Sequence, residues 1–459
     1  MRQLIAAPLA AALAFTSPQA AQAADIRLAD DPEYGCLVTL DGIIAPGDTD
    51  ALLAVMKRAS TESRYADTIW YSDEDGDQGP YIDLKTPLNL CLNSPGGALQ
   101  EAVALTQAVH GRLGTMIRPG ARCESACALV FMAGSYDTGS DIGTVTSRHL
   151  HVDGRLGFHA PSLTVPDGNY SAETVAKAYQ VSVEATALIF RNLVAFRFPP
   201  SLAAKMHQTP PQDMFHISTV QEAARWGISV IGIDPPSQVS DPVIKTACAN
   251  LYRATMDLQT SNPDVWYLSG DPNNRVNRDT DTFSYQGFGM EAVGTCQGRF
   301  INRSDEYNIA RNFWGPARAV QASVWGEGSF PDAEPPLFFS LMQNYMAYPP
   351  EIPLIALPRN GQTFTIDRPG TCFVYNRDDA LTDQEPCTQS RSVLADGTLQ
   401  AVHHWPSGAR TVVETAGLVD RINGAATGSW YWPDPRPQGA EDRCPRSESS
   451  GNTFCFHPD

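Results

Sequence analysis

The fold is decided by residues 88–113, which have the sequence LNLCLNSPGGALQEAVALTQAVHGRL. Leu88–Leu92 is a short apolar run that predicts a buried strand, and Asn93–Gly97 has the composition of a tight turn. Apolar residues then recur at helical spacing over Ala98–Leu113, before a second apolar run at Gly114–Ile117. A strand, a helix and a strand in this order predict a βαβ unit, whose two strands must be parallel.

The same alternation continues on both sides of this unit. Cys36–Leu40 is typical of a strand, and Asp50–Ala59 and Ala126–Ala133 are typical of helices. We therefore predict an α/β domain with a mostly parallel sheet flanked by helices. Residues 72–80 are acidic and are predicted to form a solvated loop. Calcium binding is the alternative, although the segment lacks a ligand at the twelfth loop position.

The N-terminal residues 1–23 have the features of a secretory signal. Arg2 precedes an apolar run from Leu4 to Phe15, and an Ala-x-Ala site ends at Ala23. The apolar run is too short to span a bilayer easily, so an uncleaved anchor is only the second interpretation. We expect an exported protein, periplasmic or secreted, with no transmembrane segment after signal removal.

Composition divides the rest of the chain into three predicted domains. Residues 24–235 form the α/β domain, which ends near the turn-forming residues Asp234-Pro-Pro-Ser. Residues 236–353 are a mixed middle region, rich in Asn, Asp and Gly, that ends near Pro349-Pro350. Residues 354–459 contain short apolar runs separated by turns, which indicates a small disulfide-rich β domain.

The charge balance excludes some classes of partner. The net charge is −18, whereas nucleic acids and anionic membranes are bound through clustered Lys and Arg. We therefore expect no nucleic-acid partner. An apolar content of 42% with 18% charged residues indicates a globular chain, not a disordered one.

All ten cysteines lie after the predicted signal, and an even number in an exported protein indicates disulfides. Zinc is the alternative, but CxxC pairs are absent from the sequence and few His residues lie near a Cys, so we predict no metal and no cofactor. Neighbouring predicted strands, a shared helical turn and proximity suggest five pairs: Cys36 with Cys91, Cys123 with Cys127, Cys248 with Cys296, Cys372 with Cys387, and Cys444 with Cys455.

Two strand-to-helix junctions in the first domain contain candidate chemistry. The two glycines of Asn93–Gly97 let backbone amides turn towards a ligand at a helix N-terminus, which suits a developing oxyanion. Ser125 lies at the next junction, among small residues, and the Ala126 amide could join that of Gly97 in one oxyanion hole. Each feature also has a plain interpretation, a tight turn in the first case and an N-cap serine in the second.

Two further residues could complete a hydrolytic site. His159 ends an apolar segment, and His is the usual base for a serine nucleophile near neutral pH. Asp213 precedes the predicted helix Val220–Trp226 and could orient the imidazole. A lone His in an apolar strand is more often structural, so neither residue is decisive by itself.

Taken together, these residues resemble the proteolytic subunit of Clp protease, within the clan that also contains the crotonases. That family has a Ser-Pro-Gly-Gly turn, a nucleophilic Ser followed by small residues, a His-x-Pro strand end and an Asp-x-Phe before the last helix. Here these are Ser94–Gly97, Ser125, His159-Ala-Pro161 and Asp213-Met-Phe215, in the same order. The resemblance covers about residues 37–233. It implies Ser125 as nucleophile, His159 as base, Asp213 as orienting carboxylate, Gly97 and Ala126 as oxyanion donors, and a peptide or protein substrate.

The chain also departs from this family. The interval of 34 residues from Ser125 to His159 is longer than in the family, with an insertion around residues 135–153, and cysteines flank the serine. An exported protein meets no ATP-driven unfoldase, so we expect ATPase-independent activity. The predicted helix Ala172–Phe196 stands where the family has its ring-packing handle, which leaves homo-oligomerisation open.

One alternative mechanism and two alternative functions remain. Related exported peptidases use a Ser-Lys dyad, but Lys177 and Lys205 adjoin none of the four motifs. A crotonase-type enzyme would hold a coenzyme A thioester enolate with the same two amides, which export makes less suitable. A catalytically inactive binding or scaffold protein would present the C-terminal module on the same fold.

Overall fold

The structure is a computed structural model of the chain. It describes residues 23–76, 79–84, 88–137, 144–161, 168–193, 198–234, 236, 240–257, 276–279, 282–288, 293–301, 319–326, 340–342, 344–394, 396–416, 419–428 and 444–459. The signal predicted at residues 1–23 therefore lies almost wholly outside the described residues.

The first half of the chain alternates between strands and helices. The strands are β1 (Asp25–Asp31), β2 (Cys36–Asp41), β3 (Ile69–Gly76), β4 (Gly79–Leu84), β5 (Asn89–Asn93), β6 (Gly114–Ile117), β7 (Arg122–Glu124), β8 (Ser135–Asp137), β9 (Thr144–Thr146), β10 (Arg148–His151), β11 (Arg155–Phe158), β12 (Phe215–His216) and β13 (Ser229–Ile231). The helices are α1 (Asp48–Glu62), α2 (Leu99–Val109), α3 (Ala126–Met132), α4 (Ala172–Leu193), α5 (Pro200–Gln208), α6 (Val220–Arg225) and α7 (Asp241–Asp257).

A six-stranded sheet has the strand order β1-β2-β5-β6-β10-β13. β1 pairs antiparallel with β2, and the remaining neighbours pair in parallel. Consecutive residues of the central strands, Leu37 and Val38 in β2 and Leu90 and Cys91 in β5, are all buried, as expected for a sheet covered on both faces. The structure thus confirms a mixed α/β fold with sheets of mixed orientation.

The acidic segment at residues 72–80 differs from the prediction. We expected a solvated loop, but the described residues of this segment, 72–76 and 79–80, belong to the antiparallel strands β3 and β4, in which Ile69 pairs with Leu84 and Tyr71 with Ile82. The β-branched and aromatic residues at the two ends favour strands, and their pairing extends strand structure into the acidic centre.

The second half of the described chain is dominated by antiparallel sheets. A five-stranded sheet contains β14 (Asn277–Arg278), β15 (Thr282–Phe288), β16 (Val293–Ile301), β17 (Ala319–Gly326) and β18 (Ser340–Met342). A seven-stranded sheet contains β19 (Thr365–Tyr375), β20 (Leu381–Val393), β21 (Leu399–His404), β22 (Arg410–Ala416), β23 (Val419–Ile422), β24 (Ala425–Ala426) and β25 (Thr453–Pro458).

Residues 344–362 connect these sheets to the first domain. Two backbone hydrogen bonds hold them against the start of α6, one of 3.0 Å from Val220 N to Ile352 O and one of 2.7 Å from Leu354 N to Ser218 O. The Tyr348 hydroxyl donates to the carbonyl of Asp234 across 2.9 Å. One hydrophobic cluster consequently runs across the boundary predicted at residue 235.

Five disulfides are present, and they join the pairs suggested by the sequence: Cys36–Cys91, Cys123–Cys127, Cys248–Cys296, Cys372–Cys387 and Cys444–Cys455. Such a set is compatible with folding in an oxidising compartment. Among the described residues, none of the helices combines the length and the apolar character needed to cross a membrane.

Candidate functional site

The predicted site residues lie around a three-stranded sheet with the order β12-β11-β7. β11 pairs in parallel with β7 and antiparallel with β12. The C-terminal ends of β7 and β11 therefore lie at the same edge as the N-terminal end of β12. Ser125 follows β7, His159 follows β11, and Asp213 comes two residues before β12. The strand pairing thus brings all three to one edge.

Ser125 has an unusual backbone conformation at the junction between β7 and α3. Its φ is 57° and its ψ is −125°, which is a sparsely populated region for a residue with a side chain. Its amide donates to Gly157 O across 3.0 Å, and its carbonyl accepts from Ala128 N across 3.0 Å. A strained serine on a sharp strand-to-helix turn is the arrangement that exposes the hydroxyl of a nucleophile.

The glycine turn at residues 94–97 packs directly against Ser125. A Cβ placed on Gly96, whose φ is 102°, would lie 2.8 Å from the Ser125 Cβ. A Cβ on Gly97, whose φ is 150°, would lie 2.1 Å from the carbonyl oxygen of Ile44. Both positions thus require glycine, because a methyl group would separate the turn from its neighbours.

The two amides expected to bind the oxyanion, those of Gly97 and Ala126, lie next to the contact between Gly96 and Ser125. The turn uses Gly96 O as acceptor from Ile44 N, at 2.9 Å, and Ala98 N as donor to Ile44 O, at 2.8 Å. In the part of the chain that the structure describes, the Gly97 amide takes no part in these turn hydrogen bonds. Ala126 is the first residue of α3, where a helix leaves its amides without intrahelical acceptors. Both amides are therefore suited to binding an anion.

His159 is half-buried and is held by its own backbone. Its Nδ1 lies 2.7 Å from the carbonyl oxygen of Ala160. Since a carbonyl only accepts, Nδ1 carries the hydrogen in this contact and Nε2 is the unprotonated nitrogen of a neutral ring. The Ala160 amide in turn donates to Thr209 O across 2.9 Å, which ties this segment to the end of α5.

Asp213 is exposed at the same edge, and its amide donates to Pro210 O across 2.9 Å. Within the described ranges, no hydrogen bond connects the side chains of Ser125, His159 and Asp213. The structure therefore places the three predicted residues at one edge without joining them into a hydrogen-bonded triad, and the triad stays a prediction.

Cys123 and Cys127 form a disulfide on either side of Ser125. Both are fully buried, and the bridge joins the middle of β7 to the first turn of α3. It closes the short loop that contains the strained serine, and so restricts the ways in which this loop could relax.

Sequence reasoning missed a second pair of titratable residues next to Ser125. His216 Nε2 lies 3.2 Å from Glu124 Oε1, and Arg122 Nη1 lies 3.4 Å from Glu124 Oε2. Glu124 and His216 each lie next to a predicted motif, but only the strand register shows that they meet. In the sequence, only the position of these two residues next to a motif could have pointed to them.

The lysines considered for a dyad are placed differently. Lys205 Nζ lies 4.9 Å above the centre of the Phe215 ring, and Lys177 is exposed on α4. Among the described residues, no group of three or more His, Cys, Asp or Glu side chains is arranged to hold a metal ion.

Comparison with known proteins adds no family to this geometry, since neither a protein-family model nor a curated protein matches the chain.

Proposed function

We propose that this chain is an exported serine hydrolase, acting as a peptidase on a peptide or protein substrate without an ATPase. The observation that carries this proposal is the strained backbone of Ser125, at φ 57° and ψ −125°, on a strand-to-helix turn. Such strain persists only where surrounding contacts enforce it, and it clusters at functional sites. Gly96, Gly157 and the Cys123–Cys127 disulfide supply those contacts here.

In the proposed mechanism, the Ser125 hydroxyl attacks the substrate carbonyl. His159 Nε2 accepts the hydroxyl proton and later delivers it to the leaving amine, while the Nδ1 hydrogen stays bonded to the Ala160 carbonyl. The Gly97 and Ala126 amides stabilise the oxyanion of each tetrahedral intermediate. After the amine leaves, His159 Nε2 takes a proton from a water molecule that attacks the acyl-serine, and returns the proton to Ser125 as the carboxylic acid product departs. Asp213, at the same edge, is the carboxylate whose negative charge would stabilise the imidazolium, while Nδ1–H keeps its bond to the Ala160 carbonyl.

A catalytically inactive binding protein is the second candidate function. It is favoured by one observation, the exposed position of Asp213 without a hydrogen bond to His159 among the described residues. In that case the strained turn at Ser125 would be an inherited feature of the fold, without chemistry of its own.

Labelling with a fluorophosphonate probe separates these two functions. The probe forms a covalent bond only with an activated serine, so we expect one adduct per full-length, oxidised chain, located on Ser125 by peptide mass spectrometry. Ser125→Ala should lose the adduct and keep its thermal transition. A folded, oxidised wild-type chain that forms no adduct on Ser125 would contradict the hydrolase and support the binding protein.

A further inference from the structure

We propose that His216 and Glu124 form a positioning pair that holds the Ser125 hydroxyl in its reactive place. This inference rests on the proposed function, because it concerns how the serine is oriented for attack. Neither residue belongs to the four motifs that predicted the site, and neither is assigned a step in the mechanism above.

The pair spans the whole width of the three-stranded sheet. Gly157 of β11 lies opposite Glu124 on one side and opposite His216 on the other. The two side chains therefore point to the same face and meet above the central strand, with 3.2 Å between His216 Nε2 and Glu124 Oε1. Side chains on the same face of neighbouring strands are within reach of each other in this way.

The central strand is shaped to permit this contact. A Cβ on Gly157 would lie 3.1 Å from His216 Cδ2 and 2.8 Å from Met214 Sδ. A side chain at position 157 would thus occupy the space through which His216 reaches Glu124. Glycine at position 157 therefore lets the two side chains approach to hydrogen-bonding distance across β11.

Glu124, the residue before Ser125, is restrained at both its backbone and its side chain. Its amide donates to Ser94 O of the glycine turn across 3.1 Å, and its carboxylate is bound by His216. The Glu124 side chain is only 12% exposed, whereas His216 is 40% exposed. A carboxylate this enclosed needs its donors, because an unsatisfied buried charge costs more than a hydrogen bond normally contributes.

Loss of His216 would leave the carboxylate with Arg122, which is 44% exposed and lies on the same strand. The carboxylate would then be drawn along β7 towards solvent and away from β12. Because Ser125 is the next residue and its amide is bonded to Gly157 O, a shift of the β7 backbone that followed the carboxylate would change the direction of the Ser125 hydroxyl. β12 also follows Asp213, so the pair fixes the separation between the strand before the nucleophile and the strand after the carboxylate.

The test measures fluorophosphonate labelling of Ser125 in the full-length, oxidised chain at a series of probe concentrations. His216→Ala and Glu124→Ala remove the contact, whereas His216→Gln keeps an amide donor near the position of Nε2. Displacement of a reacting group by about 1 Å can lower a rate by about 10²-fold, so we expect both alanine variants to lose about tenfold or more in the maximum labelling rate. The probe concentration that gives half of this rate should stay unchanged.

Two controls make the result specific. His216→Gln should recover most of the rate, and the double alanine variant should be no slower than either single variant, because both remove the same contact. His404→Ala, on β21 of the seven-stranded sheet, makes the same chemical change away from the site and should label like the wild type. Circular dichroism checks that each variant is folded.

The outcomes distinguish the two proposals. If the wild type labels Ser125 and His216→Ala labels it equally fast at every probe concentration, the positioning pair is wrong. Equal losses in His216→Ala and His216→Gln would also overturn it, since the donor would then be irrelevant. A wild type without any adduct on Ser125 instead refutes the proposed hydrolase.

Discussion

The first domain and the seven-stranded C-terminal sheet are stabilised in different ways. Buried aliphatic side chains of the first domain, such as Leu40, Leu52 and Leu90, belong to one extensive cluster. The C-terminal sheet adds Val393 and Leu399 to that cluster, and its other buried apolar residues form two small clusters, each built around cysteines that form a disulfide. The first domain has one such small cluster, around Cys36–Cys91, beside its large core. A small β module with little apolar core typically depends on such crosslinks for stability.

The disulfides of the two regions consequently have different roles. Cys372–Cys387 joins the neighbouring strands β19 and β20 and closes a loop with a sequence separation of 15 residues. Cys123–Cys127 has a separation of only 4 residues, lies within a region that already has a large core, and encloses Ser125. We infer that the first crosslink maintains a sheet, whereas the second maintains the geometry of one turn.

Substitution of glycine by alanine should give the largest contrast between the regions. Gly97→Ala would bring a Cβ to 2.1 Å from Ile44 O, whereas Gly408, with φ 84°, has open space around its Cβ position. Gly97→Ala should break the two backbone hydrogen bonds to Ile44, at about 1 kcal/mol each, and add strain of about 1 to 2 kcal/mol. We expect a destabilisation of about 3 to 4 kcal/mol and the loss of probe labelling.

Gly408→Ala is the matched control, because its backbone also has a positive φ but its new Cβ would meet no other atom within 4 Å. It should cost about 1 kcal/mol and leave labelling unchanged. Chemical denaturation and labelling of the two variants check this prediction. Equal destabilisation would show that the close approach of Gly97 to Ile44 has no energetic consequence.

Local patterns predicted the elements whose form depends on nearby residues. The strand β5, the glycine turn and the helix α2 follow from composition and periodicity over a short stretch, and they occur close to the expected positions. The hairpin of β3 and β4 was missed because its pairing, Tyr71 with Ile82, outweighs the acidic residues between them. The disulfide pairs could be predicted by proximity because, in four of the five, the two cysteines are fewer than 50 residues apart in the sequence.

The hydrogen bonds of the candidate site depend on the register between strands that are distant in sequence, and no local pattern in the sequence reveals that register. Glu124 and His216 are 92 residues apart and meet only because both lie opposite Gly157. The contact between His159 Nδ1 and Ala160 O depends on a side-chain rotation, which no periodicity reveals. Motif order could therefore indicate the edge of the sheet but not the hydrogen bonds along it.

Removal of individual disulfides sharpens the comparison of the two crosslinks. Substitution of Cys372 and Cys387 by alanine opens the larger loop and should destabilise the C-terminal sheet by about 3 kcal/mol. Substitution of Cys123 and Cys127 opens the smaller loop, for which the same relation gives about 2 kcal/mol. We expect only the second change to reduce the labelling of Ser125, by several-fold, because only that disulfide restrains the serine.

Hydrogen exchange locates each effect. Amides of β19 and β20 should exchange faster in the first variant, and amides of β7 and α3 in the second. Selective reduction of Cys123–Cys127 in the wild type should reproduce the loss of labelling. Unchanged labelling after its verified reduction would show that this disulfide does not preorganise the site.

A smaller, pH-dependent difference should come from His403 in the C-terminal sheet. Its side chain is 1% exposed, and burial lowers its pKa to about 4 from the ordinary 6.5. The neutral ring accepts from Gln389 Nε2 across 2.9 Å and contacts Phe454, so a proton is poorly accommodated. Between pH 6.5 and pH 4 the unfolded chain therefore binds more protons at this residue than the folded chain does.

Stability from this residue is therefore complete above pH 6.5 and is lost as the pH falls towards 4. The two pKa values give a loss of about 2 kcal/mol at pH 5 relative to neutral pH. His403→Gln cannot bind the proton, so its stability deficit relative to the wild type should shrink by about 2 kcal/mol between pH 7 and pH 5. Denaturation of the C-terminal sheet at both pH values, followed by hydrogen exchange of β21, measures this difference. A constant deficit for His403→Gln would mean that the buried ring is protonated in the folded sheet as readily as in the unfolded chain.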